Sequence, residues 1–273
     1  MKTFQDKTVY ITGGSSGIGL SAASLLAEAG ASVLVFARGR ERLEEAVLEI
    51  EGRRRSDSQR FASMQLDVSD HQEVDRVMSR AVEGFGVPDL LINAAGKARP
   101  RHFEDISYEQ FDGIMKTNLY GVWNTIKALV PHMKNRGGHI VSISSMAGFV
   151  GVFGYADYGA SKFAVLGLSE TIRSELKRYR IRVSVLCPPD TDTPGFAVEN
   201  RTKPEETKAV SGTARLMDPD DVARALLKGI RRGRFMILVN AEARLIYLVK
   251  RFAPSLLDRI MDRAIRKAQN QGR

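Results

Sequence analysis

The sequence predicts a doubly wound α/β fold, in which helices cover both faces of one parallel sheet. Short apolar and β-branched runs alternate along the chain with longer helical patterns, as repeated strand–helix units require. The 273 residues suffice for one large domain, and no linker-like stretch interrupts the alternation. A basic amphipathic helical extension follows. We therefore expect an α/β domain over residues 1–240 and a helical segment over residues 241–273.

The first strand–helix unit contains a glycine-rich turn that suits a dinucleotide. Residues 8–11 form a β-branched and aromatic run, the turn occupies residues 12–19, and a helix rich in Ala and Leu follows over residues 20–29. The three spaced glycines allow a tight turn, a close approach of the backbone to a pyrophosphate, and close packing of helix on sheet. The helix N-terminus offers free N–H groups to the anion. The residues predicted to bind the cofactor here are Gly13, Ser15, Ser16, Gly17, Ile18 and Gly19.

The residues after the second predicted strand, residues 32–37, indicate which dinucleotide binds. An acidic residue at that position would bind the ribose 2′-hydroxyl of NAD. This chain instead carries Arg38 there, with Arg40 and Arg42 close behind and Ser15 in the facing turn. Guanidinium groups match a phosphate with bidentate geometry, which favours NADP(H) and assigns Arg38 and Arg42 to cofactor binding. Alternatively, these arginines pair with nearby glutamates at a solvated helix start.

Ser145, Tyr158 and Lys162 together form a proton-transfer set suited to carbonyl chemistry. The spacing of Tyr158 and Lys162 places phenol and ammonium one turn apart on one helix face. A phenol with its usual pKa near ~10 is a poor acid–base catalyst at neutral pH, and a neighbouring cation is expected to lower that pKa. Ser145 can then hydrogen-bond the substrate oxygen while Tyr158 gives or takes its proton. Taken alone, a Tyr and a Lys at this spacing are common on solvated helices.

The glycine-rich turn comes first along the chain, and the serine, tyrosine and lysine set follows it. In type and order these motifs resemble those of the short-chain dehydrogenase/reductase family, over most of the chain. The resemblance implies a Rossmann-type fold, in which Tyr158 and Lys162 also bind the cofactor. Lys162 contacts the nicotinamide ribose, and Tyr158 supplies a proton when a carbonyl is reduced. The family spacing to the tyrosine selects Ser145 rather than Ser144. Further site residues carried over from the family are the adenine-flanking Asp67 with Val68, Asn93 of the Asn-Ala-Ala-Gly motif, and the relay-water residue Asn118.

The segment over residues 188–196 resembles that of the 3-ketodihydrosphingosine reductases, which reduce a long-chain 3-keto base with NADPH. By position, Thr191 and Thr193 would contact the nicotinamide carboxamide. The resemblance implies a lipid-like substrate and a role in sphingolipid synthesis. Three alternatives stay open. The segment can be simply a stiff turn that says nothing about the substrate. The chain can also be a reductase of another hydrophobic ketone of 3-oxoacyl or sterol type, or a non-catalytic binding protein that retains the fold.

A substrate lid is expected over residues 194–217. The segment is polar, and Gly195, Pro204 and Gly212 interrupt it directly after the cofactor loop. Loops in such places are often mobile and functional. The alternative is an ordinary pair of surface helices, and both descriptions can hold together.

Composition excludes several other kinds of site. The single Cys187 rules out an intrachain disulfide, and the four histidines have no metal-ligand spacing, so no metal site is predicted. No signal peptide precedes the first strand, so we expect a cytoplasmic protein. Residues 137–156 lack charge, but their serines and glycines indicate sheet core and active-site loop rather than a membrane span.

Positive charge is concentrated at the C-terminus. Residues 222–273 hold 13 Lys/Arg and 3 Asp/Glu, and apolar residues recur there at near-helical spacing. Ser255 after Pro254 is the expected cap of the last helix. A basic amphipathic helix suits peripheral contact with an anionic membrane on its cytoplasmic face. The alternative is a helix packed on its own domain or on a second subunit, since family members form homo-oligomers; nucleic acid is not expected, because aromatic residues are sparse.

Overall fold

The computed structural model describes residues 1–211 and 216–271, and a parallel sheet of seven strands lies at its centre. The strands are β1 (Thr8–Thr12), β2 (Ser32–Ala37), β3 (Phe61–Gln65), β4 (Leu90–Asn93), β5 (Gly138–Ile143), β6 (Ile181–Cys187) and β7 (Met236–Leu238). Their spatial order is β3-β2-β1-β4-β5-β6-β7. The central strands β1, β2 and β4 are buried almost throughout, as expected when helices cover both faces.

Helices alternate with the strands along the chain. They are α1 (Gly17–Glu28), α2 (Arg40–Glu51), α3 (His71–Phe85), α4 (Tyr108–Met115), α5 (Gly121–Met133), α6 (Ala156–Leu176), α7 (Pro194–Glu199), α8 (Glu205–Ser211), α9 (Pro219–Arg231), α10 (Ala241–Phe252) and α11 (Pro254–Gln271). One apolar core joins the sheet to α1, α2 and α9, and a second joins its other face to α3, α5 and α6. This confirms the predicted doubly wound fold.

The order of the strands reverses between β1 and β4, which are direct neighbours. Ligands of open parallel sheets bind in the crevice at such a switch point, outside the carboxyl ends of the strands. The glycine-rich turn follows β1 there, and α1 starts from that turn. The helix begins at Gly17 rather than at the predicted residue 20, because the end of the turn already has helical hydrogen bonding.

The segment predicted as a lid contains the two short helices α7 and α8. The helices pack on the chain just before α6: the Thr207 hydroxyl donates to the Phe153 carbonyl at 2.8 Å, and a Cβ on Gly154 would meet Pro204. The described part of this segment thus matches the alternative expectation of an ordinary pair of surface helices. The part of the predicted lid over residues 212–215, including Gly212, lies outside the described residues.

Of the two C-terminal helices, α10 packs beside β7, whereas α11 packs on α10 and on α8 of the lid segment. Their inward side chains join a third apolar cluster and are Ile246, Tyr247, Val249, Leu257 and Met261. The expected cap at Ser255 is wrong, because α11 already begins at Pro254, a residue well suited to a first helical turn.

Of the helices described, none has the length and apolarity that a bilayer crossing demands. Residues 137–156 contribute β5 and the loop before α6.

Candidate active site

Helix α6 brings Tyr158 and Lys162 together at the carboxyl end of β5. Lys162 is 4% exposed, and its Nζ donates a hydrogen bond of 2.8 Å to the carbonyl oxygen of Ile143. The same Nζ lies 5.5 Å from the centroid of the Tyr158 ring. The ammonium is therefore fixed between the end of a strand and the phenol, in a place shielded from water.

The pKa values of this pair differ from the expected pattern. Burial raises the pKa of Tyr158, the charge of Glu199 raises it further, and hydrogen bonding with Ser145 lowers it. Burial lowers the pKa of Lys162 to about 8. The expected net lowering of the Tyr158 pKa is wrong for this structure, because burial and the charge of Glu199 raise that pKa. Tyr158 thus holds its proton at neutral pH, as a proton donor must.

The two adjacent serines have different partners. The Ser144 hydroxyl is buried and donates to the carbonyl oxygen of Lys162 at 2.9 Å, which ties α6 to the end of β5. Ser145 accepts a 3.1 Å hydrogen bond from the Ala147 amide, and its hydroxyl lies close enough to Tyr158 to lower the pKa of that phenol. The geometry supports the choice of Ser145 as the residue that contacts the substrate oxygen.

Asn118 lies in a π-helical turn, Lys116–Tyr120, between α4 and α5. Such turns are rare and frequently mark functional positions. The side chain is fully buried, accepts from the Lys97 amide at 2.9 Å, and donates to the Lys97 carbonyl and to Ser161, each at 3.0 Å. A Cβ on Gly96 would lie 3.4 Å from both Asn118 Oδ1 and Lys162 Nζ. Both atoms therefore lie close to Gly96, and the role of Asn118 in holding a relay water stays a prediction.

The glycine-rich turn forms a cradle that side chains would fill. Gly13 has φ +67°, and a Cβ there would lie 2.7 Å from the Ala95 amide nitrogen. Gly17 has φ +52°, and its Cβ would lie 2.9 Å from Thr193 Cγ2. Ser16 is the N-cap of α1 but makes no side-chain capping hydrogen bond. The first N–H groups of α1 are therefore available to a pyrophosphate, and the turn fits a dinucleotide.

The remaining turn residues lie beside this cradle. A Cβ on Gly19 would clash with the Gly13 carbonyl oxygen, so only glycine allows α1 to pack this closely on the turn. Ser15 and Ile18 are half-buried at the same place. The structure thus brings all six predicted turn residues to one point of the crevice.

The arginines after β2 differ in their partners. Arg40 pairs with Glu44 across one helical turn at 2.9 Å, as the solvated alternative requires. Arg38 and Arg42 are exposed and make no ion pair among the described residues. They are free to bind a 2′-phosphate.

Asp67 and Asn93 complete the predicted adenine side of the cleft. Partial burial of Asp67 acts to raise its pKa, but two hydrogen bonds from Ser69 and the charges of Arg38 and Lys97 keep the pKa below its usual value. Val68, next in the chain, is buried. Asn93 is the last residue of β4 and accepts from Thr125 at 2.7 Å, while its buried Nδ2 has no hydrogen-bond partner within the described part of the chain. These residues lie at the carboxyl ends of β3 and β4.

The two predicted threonines occupy the loop after β6. Thr191 is buried and donates to the Pro189 carbonyl at 2.9 Å. Thr193 is the N-cap of α7, since its Oγ1 accepts from the Phe196 amide at 3.1 Å, and its methyl group faces Gly17. Thr193 therefore links the glycine-rich turn to the lid segment, and the contact of both residues with the carboxamide stays a prediction.

A group of ionisable residues beside Tyr158 was not predicted from the sequence. The Tyr155 hydroxyl donates to Glu199 Oε2 at 3.0 Å, and the rings of Tyr155 and Tyr158 lie 5.5 Å apart. Lys203, which is nearly buried, lies 3.7 Å from Asp190. The contact of Tyr155 with Glu199 forms only because α7 folds back toward the start of α6, and no local motif signals it.

Comparisons with known proteins give consistent matches. A family profile described as short chain dehydrogenase matches residues 7–204. The 3-ketodihydrosphingosine reductase of Bos taurus is 40% identical over 236 residues, which cover 86% of this chain and 71% of that protein. The 3-dehydrosphinganine reductase of Danio rerio is 41% identical over 229 residues, which cover 83% and 69%. A solved short-chain dehydrogenase/reductase of Burkholderia phymatum, in complex with NAD, has TM-score 0.82 and 25% identity, with 94% and 97% of the two chains covered.

Proposed function

The chain belongs to the short-chain dehydrogenase family, and on this premise we propose that it reduces 3-ketodihydrosphingosine to dihydrosphingosine with NADPH. The observation that carries the proposal is the identity of about 40% to two reductases named for this ketone, over more than four fifths of the chain. The chain is an oxidoreductase that acts on a keto group, and its substrate is a lipid-like ketone. Its place is in sphingolipid synthesis.

The residues of the site suit this reaction. When bound, the nicotinamide supplies a hydride to the carbonyl carbon. Tyr158, protonated because burial raises its pKa, donates its proton to the carbonyl oxygen. Ser145 hydrogen-bonds the same oxygen. Lys162 and Asn118, which both lie close to Gly96, would border the path by which a proton returns to Tyr158.

The cofactor is NADP(H), and two exposed arginines that form no ion pair with any described residue support this choice. Arg38 follows β2 and lies close enough to Asp67 for its charge to lower the pKa of that carboxyl. Arg38 and Arg42 would hold the 2′-phosphate, while the cradle at Gly13 and Gly17 would hold the pyrophosphate. Thr191, Thr193 and Lys162 would border the nicotinamide end.

Product identification tests the proposed reaction. Purified protein, NADPH and 3-ketodihydrosphingosine in detergent micelles are expected to yield dihydrosphingosine, detected by mass spectrometry. A ketone with the same head group and a short alkyl chain serves as the control and should react less well, because less apolar surface is buried on binding. Equal kcat/KM for both chain lengths would contradict a long-chain substrate.

We also propose that residues 241–273 contact a membrane from its cytoplasmic side, while residues 1–240 form the catalytic domain. The inward side chains of α10 and α11 join the third apolar cluster, but large apolar side chains also point outward: Leu245, Leu248, Phe252, Leu256 and Ile260. Arginines on the same helices are exposed. Apolar residues among basic ones suit the surface of an anionic bilayer, where the lipid substrate resides.

Replacing Leu248, Phe252 and Leu256 together by Gln is expected to weaken partition into phosphatidylserine vesicles by about tenfold or more. Each exposed apolar side chain stabilises the bound state by about 1 kcal/mol or more when it enters the interface. Vesicle flotation measures the partition. Leu48→Gln, on the distant α2 and 70% exposed, is the control and should bind as the unchanged protein does. If the unchanged protein did not float with anionic vesicles, the membrane contact would be contradicted, and α10 and α11 would serve only to pack on the protein.

We further propose that the chain forms a homodimer through a face of α4, α5 and α6. Large aromatic side chains are exposed there, namely Phe111, Tyr120, Trp123 and Phe163, and a groove of about 560 Å³ runs beside Trp123. Aromatic residues are enriched at subunit interfaces, and closed symmetric dimers are the commonest assembly. Sedimentation velocity should therefore give a dimer, or a tetramer built from it, and Trp123→Glu should give monomers. A monomeric unchanged protein would contradict the proposal.

A further inference from the structure

Glu199 is the last residue of α7, and its carboxylate is held beside the proton donor. Oε2 accepts the 3.0 Å hydrogen bond from the Tyr155 hydroxyl, and the Tyr155 ring packs 5.5 Å from that of Tyr158. Tyr155 itself is buried, whereas Glu199 is half-buried. The carboxylate is thus placed one aromatic ring from Tyr158, within the lid segment.

The carboxylate of Glu199 has no cation of its own among the described residues. The buried ammonium of Lys203 lies 3.7 Å from Asp190 and 4.4 Å from the centroid of the Phe196 ring. Burial raises the pKa of Glu199, while the Tyr155 hydrogen bond and the charges of Lys203 and Lys162 lower it and Asp190 raises it. A half-buried carboxylate without an ion pair is costly, so the site favours a ligand that brings a positive charge.

The negative charge of Glu199 also acts on the catalytic residues. It raises the pKa of Tyr158 and that of Lys162. After Tyr158 has donated its proton it is a phenolate, and a neighbouring carboxylate disfavours that state. For a neutral ketone this charge would oppose the formation of the phenolate. A substrate that carries a cation next to its carbonyl would cancel the effect.

We propose that Glu199 binds the protonated amine of the substrate and thereby selects 2-amino ketones over ketones that lack the amine. The inference rests on the proposed function, since a 3-keto sphingoid base carries its amine on the carbon next to the carbonyl. With the carbonyl oxygen at Tyr158, the ammonium lies on the neighbouring carbon, facing the lid. It makes a charge-assisted hydrogen bond with Glu199, whose Oε1 has no hydrogen-bond donor among the described residues. Tyr155 is a positioning residue that orients the carboxylate.

The test compares Glu199→Gln with the unchanged protein on two ketones: 3-ketodihydrosphingosine and the same long-chain 1-hydroxy-3-ketone without the amine. The variant should lose about 20-fold in kcat/KM for the amino ketone, because one charge-assisted contact is removed. For the ketone without the amine, kcat/KM should stay equal or rise, since the charge that opposes the phenolate is gone. Tyr155→Phe should show the same selective loss to a smaller extent.

The controls separate this inference from the proposed function. Glu205→Gln, which removes an exposed carboxylate paired with Lys208 on the next lid helix, should leave both substrates unaffected. NADPH binding, followed by fluorescence, should be unchanged in every variant. If the unchanged protein reduces the amino ketone and Glu199→Gln keeps its full rate, or loses both substrates equally, Glu199 does not bind the amine. If the unchanged protein does not reduce the amino ketone, the proposed function and the inference both fail.

Discussion

Replacing Tyr158 by Phe is expected to lower kcat for ketone reduction by about 1000-fold or more. The change removes the hydroxyl that donates the proton and leaves the ring that packs 5.5 Å from Tyr155. A positioned general acid contributes roughly 10²- to 10⁴-fold, and this tyrosine also forms part of the hydrogen-bonded contact to the substrate oxygen. Initial rates with saturating NADPH measure the effect.

Binding of NADPH to the Tyr158→Phe variant should stay within about threefold of the unchanged protein, because the cradle at Gly13 and Gly17 is untouched. Fluorescence titration measures that affinity. Tyr108→Phe, on the exposed start of α4, is the matched control and should retain full activity. Near-normal turnover by Tyr158→Phe would mean that another group supplies the proton.

Replacing Arg38 by Asp should shift the ratio of kcat/KM for NADPH to that for NADH by about 100-fold toward NADH. The exposed guanidinium makes no ion pair within the described part of the chain, so it is available to the 2′-phosphate. Loss of a hydrogen bond to a charged group costs about 1.5–3 kcal/mol, and the new carboxylate repels the phosphate while accepting from a 2′-hydroxyl.

Arg40→Asp is the matched control for Arg38, with the same charge change two positions away. Arg40 already pairs with Glu44, so its replacement should alter the cofactor ratio less than about threefold through long-range charge alone. Both ratios come from initial rates at constant ionic strength. If the ratio of kcat/KM for the two cofactors stayed unchanged in Arg38→Asp, or shifted equally in Arg40→Asp, Arg38 would not determine the choice between NADPH and NADH.

Local patterns sufficed to predict the sheet and most of the cleft. The second strand lies at residues 32–37 as expected, because a buried parallel strand is a continuous apolar run that turn residues bound. The spacing of Tyr158 and Lys162 placed both on one helix face, since residues four apart are one turn apart. The glycines of the first turn were expected to allow close approaches of the backbone, and in the structure a Cβ at these positions would meet neighbouring atoms.

Depth of burial and contacts between distant segments were not predictable in this way. Spacing showed that Lys162 lies near Tyr158 but not that burial of both dominates their pKa values. Glu199 is a lone acidic residue at the end of a short helix, and its role depends on a fold-back that no local pattern records. The apolar residues of α10 and α11 predicted an amphipathic segment, but not which half joins the third apolar cluster and which half stays exposed.

Nicotinamide absorbance would show directly whether this site reduces a long-chain amino ketone with NADPH. Purified protein would be mixed with NADPH and 3-ketodihydrosphingosine in micelles, beside parallel reactions with NADH, a 3-oxoacyl thioester and a steroid ketone. We expect NADPH to be oxidised with the sphingoid ketone at least about tenfold faster than with the other ketones, and faster than NADH. If only another ketone were reduced, the proposed substrate would be contradicted, but the proposed chemistry of Ser145, Tyr158 and Lys162 would stand. If no ketone were reduced, both proposals would be contradicted.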